Sequence, residues 1–124
     1  MIRCGALLLC AMLASAGVAQ AAGDPEKGRR IYDLQCRSCH PLEPGKNGIG
    51  PTLHGIFGRK AGAVENYNYS PAMKNSGVVW DEATLKQYLA DPHKLIPGDK
   101  MVFPGIKNES ELDDLIAYLK QASQ

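Results

Sequence analysis

The chain has 124 residues, 44% of them hydrophobic, with 14 basic and 13 acidic side chains and a formal charge of +1. That length holds one small domain, whose core would be thin without a large apolar body to fold around. The near-neutral balance gives no support to a nucleic-acid role, which asks for a basic face. Residues 1–21 carry one basic side chain (Arg3), an apolar run from Ala6 to Ala14 and the small-residue stretch Ala19-Gln20-Ala21. These match the regions of a secretory signal peptide, so a domain spanning residues 22–124 is expected in an exported, periplasmic location. Cys4 and Cys10 fall inside that leader, and its apolar run is too short to span a bilayer as a helix. Asp24-Pro25-Glu26 then signals a helix start that leads into Cys36-Arg37-Ser38-Cys39-His40. From His40 to Gly62 glycines and prolines are too frequent for regular structure. Ser70 to Gly77 reads as a short helix with a serine cap, a first-turn proline and a glycine stop. Asp81 opens another helix with Leu85, Tyr88 and Leu89 on one face, and Asp91-Pro92 ends it. The last helix is predicted from Ser110, with Asp113 completing a capping box and Leu112, Leu115, Ile116 and Leu119 at helical spacing. No convincing strand is found, so an all-α domain is expected.

Two thiols three residues apart, followed at once by histidine, read as a covalent haem attachment site. One helical turn sets Cys36 and Cys39 along one edge of a flat ring, where each thiol can add to a vinyl group, and brings His40 under the iron as proximal ligand. The competing readings of Cys-x-x-Cys are a thioredoxin-like redox pair, half of a zinc site, or a structural disulfide. Zinc wants two further ligands at matching spacing, whereas the region after residue 21 has no other cysteine and His54 and His93 stand far apart. A thiol oxidoreductase wants its pair opening a helix after a buried strand, and here a helix start precedes it.

The second axial position separates electron transfer from catalysis. Met73, Met101, His54 and His93 are the candidates. Met101 lies in the rigid loop Ile96-Pro97-Gly98-Asp99-Lys100-Met101-Val102-Phe103-Pro104-Gly105, where a methionine is hard to explain as packing. Met73, on a short amphipathic helix, reads as core; His54 reads as a loop histidine bonded to backbone, and His93 as solvent-facing. A thioether favours ferrous iron and closes the second face, leaving nowhere for oxygen or peroxide to bind. Electron transfer is therefore expected, with no catalytic residue.

From Gly28 to Lys120 the chain resembles the class I c-type cytochromes, the mitochondrial cytochrome c and bacterial cytochrome c2 type. The resemblance rests on the haem motif, Gly50-Pro51-Thr52-Leu53-His54-Gly55-Ile56-Phe57-Gly58-Arg59, Tyr67-Asn68-Tyr69-Ser70, Trp80, Tyr88-Leu89, Ile96-Pro97-Gly98, Lys100-Met101, Phe103, Gly105-Ile106 and Asp114-Leu115-Ile116-Ala117-Tyr118-Leu119, in order. It implies the small cytochrome c fold, with short helices and loops wrapped around one covalent haem c. It further implies that Cys36 and Cys39 form the thioethers and that His40 and Met101 are the iron ligands. The Pro51 carbonyl is implied to accept the other ring proton of His40. Arg59, Tyr69, Ser70 and Trp80 are implied to hold a buried propionate, and the Tyr88 hydroxyl to reach the methionine sulfur. The sequence departs from relatives at Met73, often asparagine, and at Asp99, often threonine. An aspartate near a propionate adds like charge and favours the oxidised iron unless it points to solvent.

Lys46, Lys94, Lys100 and Lys107 resemble part of a lysine ring around the exposed haem edge, and the ring is depleted. The implied role is a soluble monomeric carrier docking transiently, by that edge, with a cytochrome bc-type complex, a terminal oxidase, a photosynthetic reaction centre or a periplasmic dehydrogenase. The alternative is a haem peroxidase or diatomic-gas sensor with a labile Met101. A fixed subunit of a larger oxidoreductase is a third possibility.

Overall fold

The computed structural model describes residues 23–124. Five helices follow one another: α1 (Pro25–Gln35), α2 (Pro71–Lys74), α3 (Glu82–Ala90), α4 (Pro92–Leu95) and α5 (Glu109–Ala122). Among the described residues there is no strand, only an isolated antiparallel bridge between Lys60 and Val79. The all-α expectation is met. No described helix is long and apolar enough to cross a membrane. The predicted leader, residues 1–21, lies outside the described residues.

Each start follows from a cap. The Asp24 carboxylate accepts from the Glu26 and Lys27 amides, and Pro25 occupies the first turn, where its missing N–H costs nothing. Ser70 accepts from the Met73 amide and opens α2. Asp81 and Thr84 form a reciprocal capping box at the head of α3. Asp91 ends α3, as its pairing with Pro92 predicts, and also caps the single turn α4, which that stop signal does not predict. The last helix begins one residue earlier than predicted, because Asn108 rather than a Ser110 box is its cap, accepting from the Ser110 and Glu111 amides. Asp113 instead pairs with Lys86 of α3 at 2.7 Å.

The frame is the crossing of α1 and α5. A Cβ on Gly28 would stand 1.9 Å from the Asp114 carbonyl oxygen, so only glycine lets the two backbones meet there. The Asp24 amide donates to the Asp114 carboxylate at 2.7 Å, and the Tyr32 and Tyr118 rings pack at 5.5 Å between centroids. Lys86–Asp113 and Lys120–Glu82 tie α3 across to α5. Tyr32, Leu85, Ile96, Ile106, Leu112, Leu115 and Leu119 fill the core, Leu115 with 0% of its surface exposed. Those helices form one wall; loops 41–70 and 96–108 close the other sides around a cavity.

Candidate functional site

The haem motif grows from the end of α1. Past Gln35 the chain keeps turning: the Cys39 and His40 amides both donate to the Cys36 carbonyl, at 3.1 and 2.9 Å. The two sulfurs are thereby held on adjacent turns, neither bonded to the other. Burial, and then the neighbouring Cys39, push the Cys36 thiol up to about 11, so it keeps its proton at neutral pH. From within α1, the Tyr32 hydroxyl donates to the His40 carbonyl at 2.6 Å and fixes the backbone of the last motif residue.

His40 is oriented from its other side. Its Nδ1–H donates to the Pro51 carbonyl at 2.9 Å, leaving Nε2 as the nitrogen available to a metal. Burial lowers the pKa of this imidazole and the Pro51 bond opposes that shift, so the neutral form is favoured near pH 7. Gly50 provides the space: a Cβ there would stand 2.2 Å from Cε1 of the ring.

All ten residues singled out in the sequence, Cys36, Cys39, His40, Pro51, Arg59, Tyr69, Ser70, Trp80, Tyr88 and Met101, line one cavity of about 410 Å³. Its polar members have capacity to spare. The Tyr69 hydroxyl accepts from the Val64 amide at 3.2 Å and the Ser70 hydroxyl from Met73 at 3.1 Å, which leaves both protons to donate. Arg59 spends one N–H on the His54 carbonyl at 2.9 Å and has others left. The rest of the wall is apolar, with Leu53, Ile56, Leu85 and Phe103 among its members.

Two residues singled out as departures from relatives, Met73 and Asp99, also line the cavity, whereas the other axial candidates, His54 and His93, do not. Asp99 is buried, 8% exposed, and turns into the cavity rather than to solvent. Its carboxylate accepts from the Tyr88 hydroxyl and, at 3.4 Å, from the Met101 amide. The Tyr88 oxygen stands 3.9 Å from the Met101 sulfur. Burial and then the Asp99 bond hold the Tyr88 phenol well above its ordinary range. Met73 is buried in the core, as expected, and also borders the cavity. His54 bonds through its backbone: its amide donates to Thr52 Oγ1 at 3.1 Å and its carbonyl accepts from Arg59. His93 is exposed, as expected.

The donor set fits a covalently held haem: two half-buried thiols one turn apart on the cavity wall, a nitrogen donor pre-oriented by Pro51, a soft thioether from the loop of residues 96–108, an apolar lining and spare donors for carboxylates.

Comparison with known proteins agrees. The family model described as Cytochrome c matches residues 25–123. The chain is 52% identical over 101 residues to cytochrome c2 of Rhodoblastus acidophilus, covering 81% of this chain and 94% of that protein. It is 48% identical over 102 residues to cytochrome c of Ginkgo biloba, covering 82% and 90%. Among solved structures it resembles cytochrome cH from Methylobacterium extorquens with a TM-score of 0.75 and 52% identity, covering 80% of this chain and 99% of that one. The chain is thus a class I c-type cytochrome, a member of the cytochrome c family that carries one covalently attached haem c and serves electron transfer.

Proposed function

We propose that this chain is an exported, periplasmic one-electron carrier in which Cys36 and Cys39 form the thioethers and His40 and Met101 are the axial ligands. The observation that carries this reading is that both iron donors line the same cavity as both thiols, with His40 already oriented by Pro51. The haem supplies the one-electron chemistry. The protein's part is ligation and burial. His40 and Met101 would hold the iron from both sides, which would leave no open position for a small ligand and favour electron transfer over catalysis. Arg59, Tyr69, Ser70 and Trp80 would donate to a buried propionate, whose charge is costly without such partners. The leader, residues 1–21, directs export.

Docking is expected at the mouth of the cavity, where Ile49 and Val102 are 77% and 100% exposed beside Lys100. The lysine face has few members, and of these only Lys46 is offset by a carboxylate among the described residues; the others keep their charge whatever neutral partner they touch. Lys46 pairs with Glu43, Lys107 donates to the Ala90 carbonyl, and Lys100 bonds the Asn68 carbonyl while lying 4.8 Å over the Tyr67 ring. A transient interface with modest electrostatic steering follows, suited to the membrane complexes and periplasmic dehydrogenases named above. Carbon monoxide added to the ferrous protein at neutral pH tests the closed site. No spectral change is expected; prompt binding would favour the peroxidase or gas-sensor reading instead.

A further inference from the structure

The Tyr88 hydroxyl has one proton and two acceptors. Asp99 Oδ2 takes a hydrogen bond from it, and the Met101 sulfur stands 3.9 Å from the same oxygen. A carboxylate is a far stronger acceptor than a thioether, so the proton lies toward Asp99. Asp99 has strong reason to keep it. The residue is 8% exposed, and among the described residues no lysine, arginine or histidine forms an ion pair with it. Its donors are the Tyr88 hydroxyl and the Met101 amide, and a buried carboxylate deprived of either is left undercompensated.

We propose that Asp99 is a positioning residue for the axial methionine: it holds the Tyr88 proton away from the Met101 sulfur, leaving the sulfur lone pairs for the iron and strengthening Met101 as a ligand of the ferric state. This rests on the reading of Met101 as ligand. Without the Asp99 acceptor, the Tyr88 hydroxyl turns its proton to the sulfur, competes for electron density with the metal and makes the methionine easier to displace. Asp99 thus acts through Tyr88, and its second bond, to the Met101 amide, holds the ligand's own backbone in the same unit.

The test is a double-mutant cycle on the haem-loaded ferric protein, with imidazole as the competing ligand and the far-red sulfur-to-iron band as the signal. Asp99→Ala is expected to raise imidazole affinity by about fivefold, the effect of one typical hydrogen bond, and to move the far-red band. In the Tyr88→Phe background the same substitution should change affinity by less than half as much and leave the band in place. Asp99→Asn, which keeps an acceptor oxygen and guards against a misfolded alanine variant, should give a smaller change in the same direction, also suppressed by Tyr88→Phe. Equal changes in the two backgrounds, with the band present in the parent, overturn the inference alone. A parent that lacks the band overturns both the ligand reading and the inference.

Discussion

Gly50 backs directly onto the imidazole of His40: a Cβ at position 50 would stand 2.2 Å from Cε1 and 2.6 Å from Nδ1. The same ring is held to the carbonyl of Pro51 at 2.9 Å. Two consecutive residues therefore fix the plane of the proximal donor, one by leaving space and the other by accepting a proton. Gly50→Ala should drive the ring off its Pro51 bond and cost about 1–3 kcal/mol, the usual range for overpacking. The denaturant midpoint of the haem-loaded protein reads this. A loss below about 0.5 kcal/mol, the scatter of neutral surface changes, would show that the ring has room to move.

The crossing of α1 and α5 predicts a reversal of sign. On an exposed helix, replacing glycine by alanine stabilises by about 1 kcal/mol. At Gly28 the added methyl meets the Asp114 carbonyl, so Gly28→Ala should destabilise by about 1–3 kcal/mol. Leu115→Ala, fully buried in α5 on the cavity wall, should cost about 2–5 kcal/mol. Urea unfolding of both variants checks the pair; a stabilised Gly28→Ala would mean the helices do not cross there.

Tyr88 sets an alkaline limit. Its phenol is held above the ordinary value of 10.0 by burial and by Asp99, so above pH 10 the unfolded chain loses a proton that the folded chain keeps. Stability from this group is fully present below pH 10 and falls as pH rises through the folded value. Unfolding midpoints taken from pH 8 to pH 11 should drop less steeply in Tyr88→Phe than in the parent. Parallel slopes would show that Tyr88 titrates alike in both states.

The helix starts at Pro25, Pro71 and Glu82 were legible because each rests on a local cap, Asp24, Ser70 or Asp81, and a cap is written in consecutive residues. The ten cavity residues were legible through the haem motif and the resemblance built on it. What was missed depends on the path of the chain. Asp91 serves two helices at once, so the turn Pro92–Leu95 was hidden in a segment that looked like a terminator. Asn108, with Glu111 three residues on, is itself a capping pattern; Ser110 with Asp113 offers a second pattern of the same form two residues later, and the sequence alone does not choose between them. Whether Asp99 faces solvent or the cavity is decided by the loop of residues 96–108 meeting Tyr88 on a separate element, and no local pattern encodes that. His54 matched a family segment, yet its fixed bonds are those of its backbone.

The central claim is that Met101 is the second axial ligand. The optical spectrum of the purified ferric protein tests it most directly, through the weak far-red sulfur-to-iron band, compared between the parent and Met101→Ala. The band should be present in the parent and absent in the variant, whose opened position should then bind carbon monoxide when reduced. A parent without the band, or a variant that keeps it, would contradict the closed histidine–methionine site.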